Sequence, residues 1–553
     1  MNVNFGLVRL GRGRKREEEC ARPTDRCCEL RRDEVDVVTS IRRLRADVAI
    51  VGFGPVGAVL AGLLGLRGLS VVVVEREAGV FQLPRAAHVD HTGLRTLQEL
   101  GCLDALLPTM LPNPGLDFVT ADRQLLMRVP GNQSSLSDLP ASMYFHQPVF
   151  DGVLRSVAEG LPNVTVELGA EVSAVDDQNA DGAIVFAIDA AGRPLEVAAQ
   201  WVVGCDGSWS PVREAAGIEL EDLRFEERWL VVDLVLQERI PTLPERAVTV
   251  CDPARPLYSI PMPPPRHRFE FMLLDGEDAD EMQVPANVFS LIEPWVPSGM
   301  AELERSAVYT FHGLVARSWR AGRVLIAGDA AHQMPPFLGQ GMCSGIRDAA
   351  NLAWKLDLVL RHGAPRTLVN TYGAERRPHV RKIIDAAVRF GRVICMTDPA
   401  AAAERDRSFL EDPRPPTDRI PFALPALEPG PLVGEGGGEL FPQWSRRDGA
   451  ARFDDLVGSR FLVIGRDRSH LAAAGPWWVE RLGALAATPA ELDDAEPALL
   501  RWMDARKADV VVVRPDRYVL AAGRDLDTIT RFVAHRLTGE AAHERSRIKT
   551  RFA

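Results

Sequence analysis

The sequence predicts an α/β protein of several domains on three observations: a glycine-rich turn between apolar runs near residue 50, a strand-rich stretch over 225–315, and a stretch crowded with proline and glycine over 396–444. The 553 residues leave room for two or three domains with large cores. The first apolar run, residues 46–51, reads as a buried strand. Gly52, Gly54 and Gly57 follow as G-x-G-x-x-G. The first permits a tight turn, the second lets a pyrophosphate approach the backbone, and the third packs helix against strand. Pro55 and Val56 open the helix, whose first amides face phosphates. A second apolar run ends at Glu75, followed by Arg76. That carboxylate lies about 20 residues beyond the turn, where it can accept hydrogen bonds from both ribose hydroxyls of an adenosine. Residues 48–66 carry no charge, as a membrane span would. Pro55 and the repeated glycines make a poor span, whereas a buried βαβ unit accounts for every residue.

A loop over 83–88 and a helix through Leu94, Leu97, Leu100 and Leu103 come next, then a helix from Gln147-Pro148. Residues 164–168 and 184–188 alternate and read as antiparallel strands. Residues 201–204 form another apolar strand, ending in a turn at Asp206-Gly207. Residues 229–236, 247–251 and 268–274 supply a mostly antiparallel sheet inserted between segments of the first domain. The buried-strand pattern returns over 323–329, and a helix runs from Gly341 through Ile346, Ala349, Ala353, Leu356 and Leu360. Beyond the linker, 460–465 and 508–514 are strands of a smaller α/β module closed by a helix over 526–537. It contains no cysteine, which excludes thiol redox chemistry there. The domain limits are therefore 45–225 with 315–395, 226–314, a linker at 396–444, and 445–553. Gly434 to Gly438, with no strand before them, read as flexible loop.

A formal charge of -11 argues against nucleic acid or anionic membrane as a partner. Eight scattered cysteines, none in the last 150 or so residues, point to a reducing cytoplasm. Cys20, Cys27 and Cys28 have no nearby histidine or fourth cysteine, so no metal is expected. Residues 1–44 are rich in arginine and glutamate and read as a disordered extension. Glu17, Glu18 and Glu19 are out of place in a mitochondrial presequence, and no apolar core suggests a secretory signal.

Two further motifs follow the first: Asp206-Gly-Ser-Trp-Ser-Pro-Val-Arg213, and Gly328-Asp-Ala-Ala-His-Gln-Met-Pro-Pro336 with Gly339-Gln-Gly341. In this order they resemble the flavoprotein aromatic hydroxylases, the single-component FAD monooxygenases related to para-hydroxybenzoate hydroxylase, over 46–395. Segments 229–233, 251–256, 268–271 and 513–518 are similar to the 3-(3-hydroxyphenyl)propionate hydroxylase branch. The resemblance implies an FAD-binding Rossmann-like domain, a substrate-binding sheet and a redox-inactive thioredoxin-like C-terminal domain.

It also implies that Gly52, Gly54, Pro55, Val56 and Gly57 hold the pyrophosphate of a non-covalent FAD, with Glu75 and Arg76 at the adenosine ribose. Arg85 and Gln147 serve other parts of the cofactor, Asp329 the ribityl chain, and Asp206 with Arg213 both FAD and the nicotinamide cofactor. Pro336, Gly339, Gly341 and Met342 run along the flavin, and the helix starting there aims its positive end at the pyrimidine edge. Leu338 and Cys343 depart from the family pattern beside the flavin. NADH or NADPH visits transiently, since no second fingerprint follows a strand, and O2 is the co-substrate.

The implied reaction hydroxylates a phenolic ring through a flavin C4a-hydroperoxide, with 3-(3-hydroxyphenyl)propionate or a similar phenol as substrate. Arg268 and Tyr258 are the substrate-side candidates, a homodimer fits the resemblance, and His332 reads as packing. A tailoring hydroxylase of a larger polyketide shares these motifs, whereas the Trp-x-Trp-x-Ile-Pro segment of flavin halogenases is absent. A non-catalytic binding protein retaining the FAD fold is the alternative of another class.

Overall fold

The computed structural model describes residues 41–82, 85–131, 135–179, 182–419, 423–444 and 452–539. The extension over 1–40, with Cys20, Cys27 and Cys28, lies outside the described residues. Residues 42–44, assigned to that extension, already belong to the first strand, Arg42–Val51. This strand pairs in parallel with Val71–Glu75 on one side and Pro194–Gly204 on the other, with Val51 level with both Val74 and Gly204. Its C-terminal end therefore opens where the chain departs in two directions, the place where an open α/β sheet accepts a ligand.

The helix Pro55–Leu66 is buried from Gly57 through Gly65, which is why its sequence looks lipid-like. Among the described residues no helix is long and apolar enough to cross a membrane. One expectation is corrected here. Val164–Leu168 pairs in parallel with Val71–Glu75, because the helix Gln147–Glu159 acts as the crossover that a parallel neighbour requires. The strand Gly182–Ile188 is antiparallel to its partners, as expected.

The second sheet has eight strands in the order 332–333, 301–316, 220–236, 266–272, 257–261, 247–250, 115–119 and 125–130. It is antiparallel except where Ala247–Val250 runs parallel to Gly115–Val119. The hairpin over 115–130 is recruited from the first domain's segment, beyond the stretch whose composition marks the insertion. Alternation divides the sheet into two faces. Leu230, Val232, Leu234, Phe269 and Phe271 pack on Val288 and Ile292 of the helix Pro285–Ile292. Trp229 and Tyr258 face the other way and join the core of the first domain.

The C-terminal module has four strands in the order 485–487, 462–465, 510–513, 519–523, the first pair parallel and the others antiparallel. With the helices Gly475–Leu482, Glu496–Ala505 and Leu526–Thr538 this is a βαβαββα module, in agreement with a thioredoxin-like fold. The presumed linker is built rather than loose. It contains the helix Pro399–Leu410, and its glycines lie against the module's edge, where a Cβ on Gly437 would stand 2.3 Å from the Leu520 carbonyl oxygen.

Two helices carry the junction between module and first domain: Gly341–Arg361 and Asn370–Ile394. Arg514 is wholly buried and binds Asp516 and Glu375, the latter at 2.8 Å. Lys355 and Asn351 also reach Glu375, both at 2.9 Å, and Asn351 reaches Asp516 at 3.0 Å. Trp354 and Leu358 share a core with Phe461 and Trp478 of the module.

Candidate active site

At the end of the first strand Gly52 adopts φ +95°, and a Cβ there would stand 2.4 Å from the Cys205 carbonyl oxygen. A Cβ on Gly57 would stand 2.1 Å from the Gly52 oxygen, whereas one on Gly54 meets nothing within 4 Å. Two glycines are thus dictated by the fold, and the third position is left open by it. Gly54 caps the helix with no side-chain hydrogen bond and Pro55 follows, so the first-turn amides are left for a ligand. Gly57→Ala is therefore expected to lower the melting temperature of the apoprotein. Gly54→Ala should leave that temperature in place while weakening FAD about tenfold, or ~1.4 kcal/mol. Equilibrium dialysis and thermal melts separate the two, and equal behaviour of both variants would refute the distinction.

Glu75 is buried, with Oε2 accepting from Phe53 N at 2.5 Å and Oε1 from Glu77 N at 2.8 Å. These bonds fix the carboxylate and leave lone pairs for further donors. Arg76 is exposed and paired with Glu77 at 3.3 Å. Gln147 Oε1 accepts from Arg85 N at 2.6 Å and Ala86 N at 2.7 Å, holding the loop at these two residues. The Arg85 side chain is exposed beside Phe81, 5.2 Å from the ring centre. Behind Gln147 lies Asp151, its carboxyl pushed up to about 6 by burial.

The three sequence motifs meet in space. Arg213 Nη1 donates to Ser208 O at 3.1 Å and to Ala330 O at 3.2 Å, stapling the Asp206 turn to the Asp329 turn. Val56 fills the gap beneath both Gly328 and Gly345. Asp206 Oδ2 accepts from Val212 N at 3.0 Å in the first turn of the short helix that Ser210 caps, while its buried Oδ1 has no hydrogen-bond partner among the described residues. Asp329 is exposed in the turn Gly328–Ala330, yet enough protein surrounds it that desolvation raises its carboxyl.

Sequence reasoning missed what supports that turn. Asp348 is fully buried and accepts from Gly328 N at 3.2 Å and from Arg376 Nε at 2.8 Å, with His332 Nε2 at 2.7 Å. Burial pushes this carboxyl up, but His332 and Arg376 outweigh it and hold it below the usual range. The available signal was Arg347-Asp348, a charged pair inside an otherwise apolar helix stretch.

The loop from Pro336 to Gly341 packs on the inserted sheet through Phe337. Gly339 has φ +62°, and a Cβ there would stand 2.8 Å from His88 Nδ1. That nitrogen lies 2.9 Å from the Gly339 carbonyl oxygen, which makes it the donor. Gln340 begins the helix Gly341–Arg361 without capping it, and Gly341 has only Met334 near its Cβ position, at 3.9 Å. Pro336, Leu338 and Met342 are half-buried. Cys343 is fully buried, 3.6 Å from the Gly339 oxygen and 3.8 Å from the His88 oxygen, so it packs beneath the loop.

Facing this loop stands the inserted sheet. Arg268 is buried, bound to Asp233 at 2.7 and 3.1 Å, and donates from Nη1 to the Arg85 oxygen at 3.0 Å. It ties the sheet to the 85–86 loop and does not face solvent. Tyr258 is buried, stacked 6.1 Å from Phe337 of the 336–341 loop and edge-on to Trp229. Its hydroxyl and Thr249 Oγ1, side by side on adjacent strands, find no well-aligned partner among the described residues. Two further residues on this face went unnoticed in the sequence, Glu270 and Arg305, though two-residue alternation from Arg268 marks the first of them.

Residues 45–387 match the family model described as FAD binding domain, well over half of the chain. The chain belongs to that family of flavoprotein aromatic hydroxylases. Residues 438–536 match the HcaD C-terminal domain. The chain is 40% identical over 496 residues to the "Probable NADH-specific resorcinol 4-hydroxylase" of Rhodococcus jostii (strain RHA1), covering 87% of this chain and 93% of the relative. It is 35% identical over 516 residues to the 3-(3-hydroxy-phenyl)propionate/3-hydroxycinnamic acid hydroxylase of Mycolicibacterium smegmatis, covering 87% and 90%. Among solved structures, the flavin-dependent monooxygenase PieE in complex with FAD and substrate superposes with a TM-score of 0.73 at 21% identity, over 90% of this chain and 99% of that one. This flavoprotein hydroxylase takes FAD as cofactor, and the open positions beside Gly54, Gly341 and Asp329 fit that group.

Proposed function

We propose that the protein hydroxylates a small phenol, using NADH or NADPH and O2, in the cleft between its FAD-binding domain and the inserted sheet. One observation carries the reading: polar side chains without full partners, Tyr258, Thr249 and Arg305, stand within an aromatic frame of Trp229, Tyr309 and Phe337, opposite the cofactor loops. A phenol needs such a frame, with apolar walls for the ring and a few polar groups for its hydroxyls. FAD, when bound, would relay the reducing equivalents of NAD(P)H and activate oxygen. The chain's residues do the rest. Gly52, Gly54 and Gly57 with the helix after them receive the pyrophosphate, Glu75 the adenosine ribose and Asp329 the ribityl chain. The uncapped start of the helix Gly341–Arg361 offers positive potential to an anionic reduced ring. Phe337 and Leu338 exclude water from the reacting face.

The substrate is a mono- or dihydroxylated benzene, such as resorcinol or 3-(3-hydroxyphenyl)propionate. The crowding of Trp229, Tyr258 and Phe337 favours one ring over a fused polycycle. A cytoplasmic setting is supported by Cys102, Cys205, Cys251, Cys343 and Cys395, all free thiols. The test is NAD(P)H oxidation over a panel containing both phenols and a fused-ring polyketide, with product analysis. Stimulated oxidation with a catechol-type or trihydroxylated product from a single ring is expected. Hydroxylation of the polycycle alone would move the reading to tailoring chemistry, and a colourless protein that FAD cannot reconstitute would end it.

A further inference from the structure

Resting on that reading, we propose that Glu270 is the base that takes the phenolic proton from the substrate. The argument starts from the register of the inserted sheet. Val231, Glu270 and Tyr258 lie in one row across three strands, and Asp233, Arg268 and Ile260 in the next. Glu270 is two residues from Arg268, hence on the same face. Arg268 touches the Arg85 oxygen of one cofactor loop, and Tyr258 stacks on Phe337 of the other. Glu270 therefore looks into the space that both loops bound.

Its side chain keeps 11% of its surface open and makes no hydrogen bond among the described residues; Arg268 stands at 4.0 Å, an ion-pair separation too long for a hydrogen bond. A carboxylate so placed has lone pairs open to water or to the donor of an incoming ligand. The neighbours fit a phenol specifically. Arg305 is buried in the adjoining row, held by Asp233 at 3.4 Å, with Nε and Nη2 unpartnered. Burial holds the Tyr258 phenol neutral far above its ordinary range, so it can donate to a substrate oxygen without competing as a base. The charged groups that face Glu270 are Arg268, Arg305 and Asp233; burial raises its carboxyl, Asp233 adds to this, and the two arginines oppose it. A raised carboxyl is the better match to a phenol, whose own pKa is about 10.

The step is a simple transfer. The substrate O–H bond breaks, its proton forms a bond to a Glu270 oxygen, and the electron pair stays on the substrate as phenolate. One negative charge passes from carboxylate to substrate, no electron is gained or lost, and Arg305 and Tyr258 hold the new anion. The ring carbons ortho and para to that oxygen become electron-rich, as attack by an electrophilic oxygen requires.

The experiment uses full-length holoenzyme, wild type and Glu270→Gln, with FAD content as the fold control. The amide fills the same volume but accepts no proton. Hydroxylated product per second at pH 7 should fall about 10²-fold or more, product per NADH should fall with it, and activity should recover only as pH approaches the pKa of the free phenol. A second readout is optical. Wild-type protein titrated with 4-nitrophenol below that ligand's own pKa should show the nitrophenolate band, and E270Q should not. If E270Q fails to retain FAD, Glu270→Asp carries the test, and its acid limb should shift with a rate about tenfold lower. The proposal is overturned by an E270Q enzyme within threefold of wild type on the same pH profile, by an E270D profile that overlays wild type, or by a wild-type spectrum showing no added phenolate. A wild-type protein that hydroxylates no phenol overturns the functional reading and this inference together, whereas active wild type with equally active E270Q removes only the proton transfer.

Discussion

Asp348→Ala is expected to destabilise the folded chain by about 3–5 kcal/mol, because it leaves buried positive charge without its partner. Arg376, His332 and the Gly328 amide all converge on this one carboxylate, and none is exposed enough to turn to water instead. The Gly328-Asp329 turn loses its anchor at the same time, so FAD content should drop along with stability. Asp348→Asn keeps one acceptor oxygen and the same shape, and should cost about 1–3 kcal/mol. Denaturant midpoints at constant slope give the two values. If both variants melt within about 1 kcal/mol of the parent, Asp348 is not what holds the turn.

The second large effect lies far from the cleft. Arg514→Met should cost about 3–5 kcal/mol, since Glu375 and Asp516 lose a shared guanidinium in a dry interface. Its pH dependence is a stricter test. Burial pushes the Glu375 carboxyl up, but Arg514 first and Lys355 next outweigh it and pull it from 4.5 to about 2. The folded value lies below the unfolded one, so the contribution is fully present above about pH 4.5 and fades as pH falls toward 2. With Arg514 gone Lys355 and the Asn351 amide still oppose protonation but the largest opposing charge is lost, and the acid limb of thermal stability should move to higher pH. A variant whose acid limb overlays that of the parent would show that Arg514 does not set this titration.

What was legible in the sequence was local. Gly52 and Gly57 reveal themselves because the contacts that demand glycine arise within a single strand-turn-helix unit and its neighbour. Asp329 is legible because it closes an apolar strand. Residues 164–168 were assigned the wrong direction because a short alternating run looks the same whichever neighbour it joins, and its partner is nearly a hundred residues away. Asp348, Arg376 and Glu375 lay hidden inside helices whose periodicity says only that they are buried, not what they bind. Glu270 is an intermediate case. The alternation Arg268-Phe-Glu-Phe puts it beside Arg268 on paper, but its lack of a partner depends on strands 257–261 and 220–236, which only the folded sheet brings alongside.

The helix Gly341–Arg361 begins at the cofactor loop and, from Asn351 to Leu358, lies against the C-terminal module. A rod pinned at both ends passes load without slack. If FAD contacts the first turn, linkage predicts that its binding stabilises every state in which this helix is formed, the docked module included. A module without cysteine is thereby joined to the cofactor loop through a single helix.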